Sequence, residues 1–180
     1  MNQSLILVFI LLATLSVVNT LPHQLSKRET QWGQCIYSGV TYPPLNITIS
    51  PDPLVQGQDG TFSVFGDFEA GATDILYISF YKDLTKNPLH VFKTFVCGVK
   101  GLPNCPVKPF KMNCDIKVPK GLPNPYFIVV IIGDQKAQKT LGCGITFVSG
   151  GSEESYPIAS YSIASYPIAS YPIASYPIAE

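Results

Sequence analysis

Apolar and polar residues alternate along three stretches of the central chain, as they do in a β-strand with one buried face. These stretches are residues 45–49, 110–118 and 141–147. Within 110–118 the even-numbered positions are mainly apolar, so we expect them to face inward. The period of two predicts three strands, each half-buried.

Four further stretches also favour strands. Residues 61–68, 74–81 and 88–96 are rich in aromatic and β-branched side chains. Residues 126–132 are apolar at both parities, which predicts a central strand with little solvent contact on either face. Gly, Pro, Asn and Asp cluster between the stretches, where turns are expected, and no window shows a helical period. About seven short strands predict an all-β sandwich.

The N-terminus does not fit this pattern. Residues 5–18 are apolar except for Thr14 and Ser16, which is typical of a signal peptide and short for a membrane span. We predict a signal peptide over 1–20; an uncleaved anchor is the alternative. Residues 21–28 end in Lys27-Arg28, which indicates either a propeptide cut after Arg28 or an ordinary exposed basic pair. Secretion, or delivery to the lumen of the secretory or vacuolar-lysosomal pathway, is the expected location.

The C-terminal residues 150–180 are of low complexity. Residues 150–154 have the composition of a linker, and from Ser155 the chain repeats SYPIA with one SYSIA variant. Proline recurs at the third position and disfavours both helix and strand ladder. We predict an extended, largely disordered tail, which either adheres to a surface or has no specific role.

The remaining domain, residues 29–149, contains five cysteines, which a secreted chain would use for disulfides. Cys97 and Cys105 are close enough in sequence to close a small loop. Cys35 and Cys143 lie near the two ends of the domain, and a bridge between them would join its first strand to its last. Cys114, on the inward face of its strand, is then the free thiol; a reactive or intermolecular cysteine is the alternative.

Charge and residue types argue against several functions. The formal net charge is zero, which disfavours a nucleic-acid partner. After processing, His90 would be the only histidine, so a catalytic triad or a histidine metal site is hard to build. The chain has no motif of a phosphate loop, a nucleophile elbow or a calcium loop. We therefore predict no enzyme activity, no cofactor and no metal.

The triplet Asn46-Ile47-Thr48 is a glycosylation sequon. Asn46 falls on the outward parity of its predicted strand, so an attached glycan would be sterically tolerated. An unmodified strand asparagine is the alternative.

Short motifs occur in a fixed order between residues 35 and 148. They are Ile49-Ser50-Pro51-Asp52-Pro53, Phe62-Ser63-Val64-Phe65-Gly66, Val96-Cys97, Asn104-Cys105-Pro106-Val107, Val118-Pro119, Leu122-Pro123, Gly133-Asp134 and Leu141-Gly142-Cys143. This set resembles the ML lipid-recognition domain. The resemblance is strongest to the secreted phosphatidylglycerol/phosphatidylinositol transfer proteins and more distant to the Niemann–Pick sterol carrier. Cys114 and the SYPIA tail depart from the family pattern.

The resemblance implies an immunoglobulin-like β-sandwich with a hydrophobic cavity between its sheets. It implies that a monomer binds one lipid, a phospholipid such as phosphatidylinositol or phosphatidylglycerol or a sterol, and moves it between membranes through transient membrane contact. The competing interpretations are a lipid-sensing module and a structural cell-surface sandwich, neither with transfer activity.

The inward parity of the predicted strands identifies candidate cavity residues. From periodicity alone they would form an ordinary closed core, whereas the resemblance favours a lipid cavity. The candidates are Phe62, Val64, Phe68, Leu76, Ile78, Phe80, Phe110, Met112, Ile116, Val118, Ile128 and Val130. The residues predicted to form the cavity mouth are Phe92, Phe95, Leu122, Pro123 and Tyr126. Lysines at 108, 111, 117 and 120 either meet an anionic headgroup or, as we favour, keep an edge strand soluble.

Overall fold

The structure, a computed structural model, describes residues 29–37, 39–134, 137, 139–149 and 161–162. This part of the chain contains ten β-strands. No helix within it is long and apolar enough to cross a membrane. The strands are β1 (Cys35–Tyr37), β2 (Val40–Thr41), β3 (Asn46–Ser50), β4 (Asp59–Gly66), β5 (Asp74–Tyr81), β6 (His90–Phe95), β7 (Phe110–Lys117), β8 (Tyr126–Asp134), β9 (Lys139–Val148) and β10 (Tyr161–Ser162).

Seven of these strands form the two main sheets of a β-sandwich. One sheet has the order β3-β4-β7 and the other β6-β5-β8-β9, with antiparallel pairing throughout. In β7 Phe110, Met112 and Ile116 are buried while the odd-numbered residues between them are exposed. Strand β8 is largely buried on both faces. The predicted all-β sandwich is therefore confirmed, together with the inward parity of β7.

The connections between strands define two ends of the sandwich. We call the end formed by loops 51–58, 82–89 and 118–125 the Leu122 end, and the end formed by loops 67–73 and 96–109 the Cys97 end. At the Cys97 end Ala70 and Val107 exchange two backbone hydrogen bonds of 2.9 Å, and a disulfide joins Cys97 to Cys105. These links hold together the loops from both sheets at the Cys97 end.

The two long seams of the sandwich differ. Along one seam the segment leading into β3 pairs with β9, because Leu45 N–H donates to the Cys143 carbonyl at 3.3 Å and Cys143 N–H donates to the Pro43 carbonyl at 2.9 Å. Gly144 permits this approach, since a Cβ there would lie 2.5 Å from Cδ1 of Ile47. Along the other seam lie the edge strands β6 and β7, and no strand ladder joins them in the described residues.

A third, small sheet was not predicted from the sequence. It has the order β10-β1-β2. Disulfide Cys35–Cys143 fixes β1 to β9. A second apolar cluster lies beneath this layer, on the outer face of the four-stranded sheet. It contains Cys35, Tyr81, Leu84, Val129, Cys143 and Ile145.

Strand β10 comes from the C-terminal repeats and pairs in parallel with β1. It lies in the one repeat that has Ser162 where the others have proline, so both of its residues retain an amide N–H for pairing. The predicted signal peptide (1–20), the segment 21–28, the linker and the rest of the tail lie outside the described residues.

Candidate functional site

The twelve predicted cavity residues all belong to one apolar cluster between the two main sheets. Eleven of them are buried, and Phe68 is half-buried in the loop after β4. Phe68 stacks on Phe110 with ring centroids 5.6 Å apart, and this pair lies at the Cys97 end. The structure thus brings the predicted residues together on the facing sides of the two sheets.

Side chains fill the centre of this cluster. The residues with 0% exposed surface include Phe62, Phe80, Phe110, Ile128 and Val130. A side chain with no exposed surface borders no space large enough for a water molecule. A guest molecule would therefore reach these positions only if the layers or their side chains moved apart.

The sequence prediction omitted several members of the same cluster. Leu45, Ile47 and Ile49 from β3 and its approach, and Ile132 from β8, are buried with the predicted residues. The signal that identifies them is the same period of two that identified the others. Leu54, in the loop between β3 and β4, carries no such signal because its burial depends on how that loop folds back.

An aromatic group closes the cluster at the Leu122 end. Phe80 meets Phe92 edge-to-face at a centroid distance of 6.2 Å and meets Tyr126 at 6.2 Å. Phe92 is half-buried, so this group extends from the core to solvent. Burial raises the pKa of the Tyr126 phenol above its ordinary value, which keeps this ring uncharged.

The loop beside these rings is clamped by one glutamine. The Gln56 side chain donates to the Leu122 carbonyl at 3.1 Å and accepts from the Leu122 N–H at 3.0 Å. Leu122 itself is only 7% exposed. Next to the clamp, Gly57 N–H donates to the Val118 carbonyl at 2.9 Å. Leu122 is thus held inward by a polar side chain that is itself exposed.

The predicted mouth residues do not all lie together. Phe92, Leu122, Pro123 and Tyr126 lie toward the Leu122 end, but Phe95 lies opposite Ile75 at the other end of β6. Phe95 is 38% exposed and points to the outer face of its sheet. At about 3.3 Å per strand residue, it lies roughly 10 Å along β6 from Phe92, the member of the aromatic group on the same strand. The predicted placement of Phe95 at the mouth is therefore wrong, because side chains alternate along β6 and Phe95 faces the opposite side from Phe92.

The lysines considered for headgroup contact are dispersed. Lys111 and Lys117 are exposed on the outer face of β7, Lys108 precedes that strand and Lys120 follows it. They follow the length of an edge strand from the Cys97 end to the Leu122 end. Only Lys117 and Lys120 lie at the Leu122 end, where the aromatic group is found. In the described residues no three His, Cys, Asp or Glu side chains are grouped to hold a metal ion.

Cys114 is a free thiol, half-buried against the apolar cluster. Burial, and to a smaller extent the charge of Asp115, raises its pKa above the ordinary thiol value.

The raised pKa of Cys114 predicts slow alkylation, because the thiolate is the nucleophile. We expect iodoacetamide to alkylate native Cys114 more slowly than the same thiol in the unfolded chain at pH 8. The difference between the two rates should narrow as the pH rises. Mass spectrometry over time checks this. Equal rates in folded and unfolded protein would contradict it.

One protein family matches the part of the chain that contains the two main sheets. The model of the ML domain family matches residues 29–149. No curated protein sequence matches the chain. Among solved structures, the chain is similar to chicken MD-1 in its complex with lipid IVa, at 12% sequence identity and a TM-score of 0.38, covering 67% of this chain and 99% of that one. The family match includes both main sheets of the sandwich.

Proposed function

The chain belongs to the ML domain family, and from this premise we propose that it binds the apolar part of one lipid between its two main sheets and carries that lipid between membranes. The proposed cargo is a phospholipid, such as phosphatidylinositol or phosphatidylglycerol, or a sterol. The observation that carries the proposal is the continuous apolar cluster between the sheets, which reaches solvent through Phe92 at the Leu122 end. The protein performs no chemistry on the lipid.

The energetic need for such a carrier follows from the hydrophobic effect. Exposing an acyl chain to water costs about 0.8 kcal/mol per methylene, so a sixteen-carbon chain costs on the order of 12 kcal/mol. A carrier must therefore surround the chain with apolar side chains. The facing residues of the two sheets provide this surface, and it includes aromatic rings and Met112, whose flexible thioether adapts to guests of different shape.

A lipid can enter only where the two layers are able to separate. The β3–β9 seam is joined by backbone hydrogen bonds and by the packing of Ile47 on Gly144. The Cys97 end is closed by the pairing of Ala70 with Val107 and by a disulfide. The remaining boundaries are the β6–β7 edge and the Leu122 end. We propose that lipid enters there, displacing Phe92, Leu122 and Tyr126.

The proposal is tested with lipids extracted from the protein as secreted by its producing cells. We expect one lipid per protein by mass spectrometry, and transfer of labelled phosphatidylglycerol or sterol from donor to acceptor vesicles. Protein that carries no lipid and takes none up from vesicles would overturn the proposal.

A second candidate function is a structural or lipid-sensing module without transfer. The complete burial of Phe62, Phe80 and Phe110 favours a filled sandwich. The vesicle experiment separates these functions. A sensing module retains its lipid without delivering it, and a structural module never acquires one.

The Gln56 clamp supports a prediction about entry. Gln56→Ala removes two hydrogen bonds to Leu122, each worth about 0.5–1.5 kcal/mol. If release of the loop limits entry, lipid uptake should accelerate about tenfold, which corresponds to about 1.4 kcal/mol. Stopped-flow uptake of a fluorescent phospholipid measures the rate. Gln58→Ala, which removes the same side chain from an exposed position two residues away, should leave the rate unchanged. Equal rates in both variants would place entry elsewhere.

A further inference from the structure

The sequon found in the sequence lies in a groove on the outside of the sandwich. Asn46 is the first residue of β3, and both Asn46 and Thr48 are exposed. No other N-x-S/T triplet occurs between residues 29 and 149. Asn46 lines an open groove of about 550 Å³, whose other walls include Trp32 and Phe65. The sequon asparagine thus forms part of the groove.

We infer that Asn46 is N-glycosylated and that the first sugars of the glycan lie in this groove against Trp32 and Phe65. The modification transfers an oligosaccharide from a lipid-linked pyrophosphate donor to the Asn46 amide. The bond between sugar C1 and the phosphate oxygen breaks, a bond between C1 and Nδ2 forms, and the amide loses one proton as the lipid pyrophosphate leaves. The donor belongs to the secretory pathway, which the disulfides also require.

The groove has the features of a carbohydrate site. Phe65 is 41% exposed and lies opposite Asn46 in the β3–β4 ladder, so a ring is available immediately beside the attachment point. Glu29, Gln31 and Asp67 line the same groove and provide polar groups for sugar hydroxyls. Its volume lies within the roughly 300–1,000 Å³ typical of small-molecule sites. Aromatic walls with a few polar groups suit a pyranose, which has apolar faces and polar edges.

The wall that carries Trp32 is held in place by the fold. Thr30 N–H donates to Asp52 Oδ2 at 2.7 Å, and the Thr146 hydroxyl donates to the Gln31 carbonyl at 2.6 Å. Among the described residues, the Trp32 indole Nε1 is the buried side-chain polar atom without a hydrogen-bond partner. Such atoms are uncommon in proteins.

The groove borders the apolar cluster but not the proposed entry. Leu45 and Ile47 of the cluster, and Trp32 packed against it, line the groove. Asn46 is the first residue of β3, whereas the Leu122 end lies beyond the last residue of that strand. The glycan is therefore attached away from the proposed lipid entry.

The modification is tested on the full chain secreted from eukaryotic cells. By mass spectrometry, we expect the secreted protein to be heavier than the unmodified chain by the mass of one glycan. Treatment with peptide N-glycosidase should remove this mass increment. Thr48→Ala destroys the sequon and should lose the increment. Thr48→Ser preserves the sequon and should retain it. A wild-type protein without the increment would overturn the proposal.

The position of the sugars is tested by fluorescence, because Trp32 is the only tryptophan in the chain. We expect acrylamide to quench Trp32 about twofold more strongly in the Thr48→Ala protein than in the Thr48→Ser protein, since the glycan covers the ring. Equal quenching of the two proteins, with the mass increment present in the second, would overturn the placement in the groove. Neither experiment depends on lipid, so a failure of lipid transfer leaves its result interpretable.

Discussion

Removing the Cys35–Cys143 disulfide by the double substitution Cys35→Ala/Cys143→Ala is expected to lower the free energy of unfolding by about 5 kcal/mol. The two cysteines are 108 residues apart, and in the chain-entropy model a loop of about 100 residues corresponds to about 4.7 kcal/mol. The bridge also fixes β1 to β9. Without it, the small sheet that covers the outer face of the four-stranded sheet loses its covalent attachment.

The matched comparison is the double substitution Cys97→Ala/Cys105→Ala. That disulfide spans only 8 residues, for which the same model gives about 2.5 kcal/mol. Urea unfolding of the two variants and of the unmodified protein measures the difference. Equal losses would show that the length of the closed loop does not set the contribution of the long bridge. The single substitution Cys114→Ala serves as a control for loss of a thiol that forms no bridge.

Much of the sandwich follows from alternation in the sequence. In β7 the buried positions Phe110, Met112 and Ile116 are those that the period of two predicts, because each successive side chain in a strand points to the opposite face. Strand β8 is apolar at both parities because the small sheet covers the face that would otherwise meet solvent. The apolar pattern of a strand thus indicates whether one or both of its faces are buried, but it does not identify the segment that covers the second face.

The covering segment and the entry region could not be predicted in this way. Strands β1 and β2 are three and two residues long, too short for a period to be recognised, and their position depends on the bridge to Cys143. The Gln56 clamp joins residues 66 positions apart, and nothing local to either residue indicates the pairing. Phe95 does not lie with Phe92 because the two residues are three positions apart in β6, and an odd spacing puts their side chains on opposite faces of the sheet.

The second large effect is expected at Phe62, in the middle of β4 between the two main sheets. Phe62→Ala should lower the free energy of unfolding of lipid-free protein by about 3–5 kcal/mol, because it removes a fully buried ring and leaves a cavity. Phe95→Ala makes the same chemical change on the outer face of β6, where the ring is 38% exposed. There the expected loss is about 1 kcal/mol or less. Chemical unfolding of protein stripped of lipid measures both.

The response of these variants to lipid distinguishes a lipid site from a filled core. A ligand that binds only the folded protein adds about 2.7 kcal/mol at a concentration of 100 times Kd. If the space around Phe62 receives an acyl chain, phosphatidylglycerol vesicles should stabilise the unmodified protein and Phe95→Ala equally. They should stabilise Phe62→Ala by at least as much, since the added cavity offers the chain more room. Vesicles that stabilise the unmodified protein and Phe95→Ala but not Phe62→Ala would show that Phe62 is needed as a lipid contact. A complete absence of stabilisation in all three would mean that the sheets enclose only their own side chains.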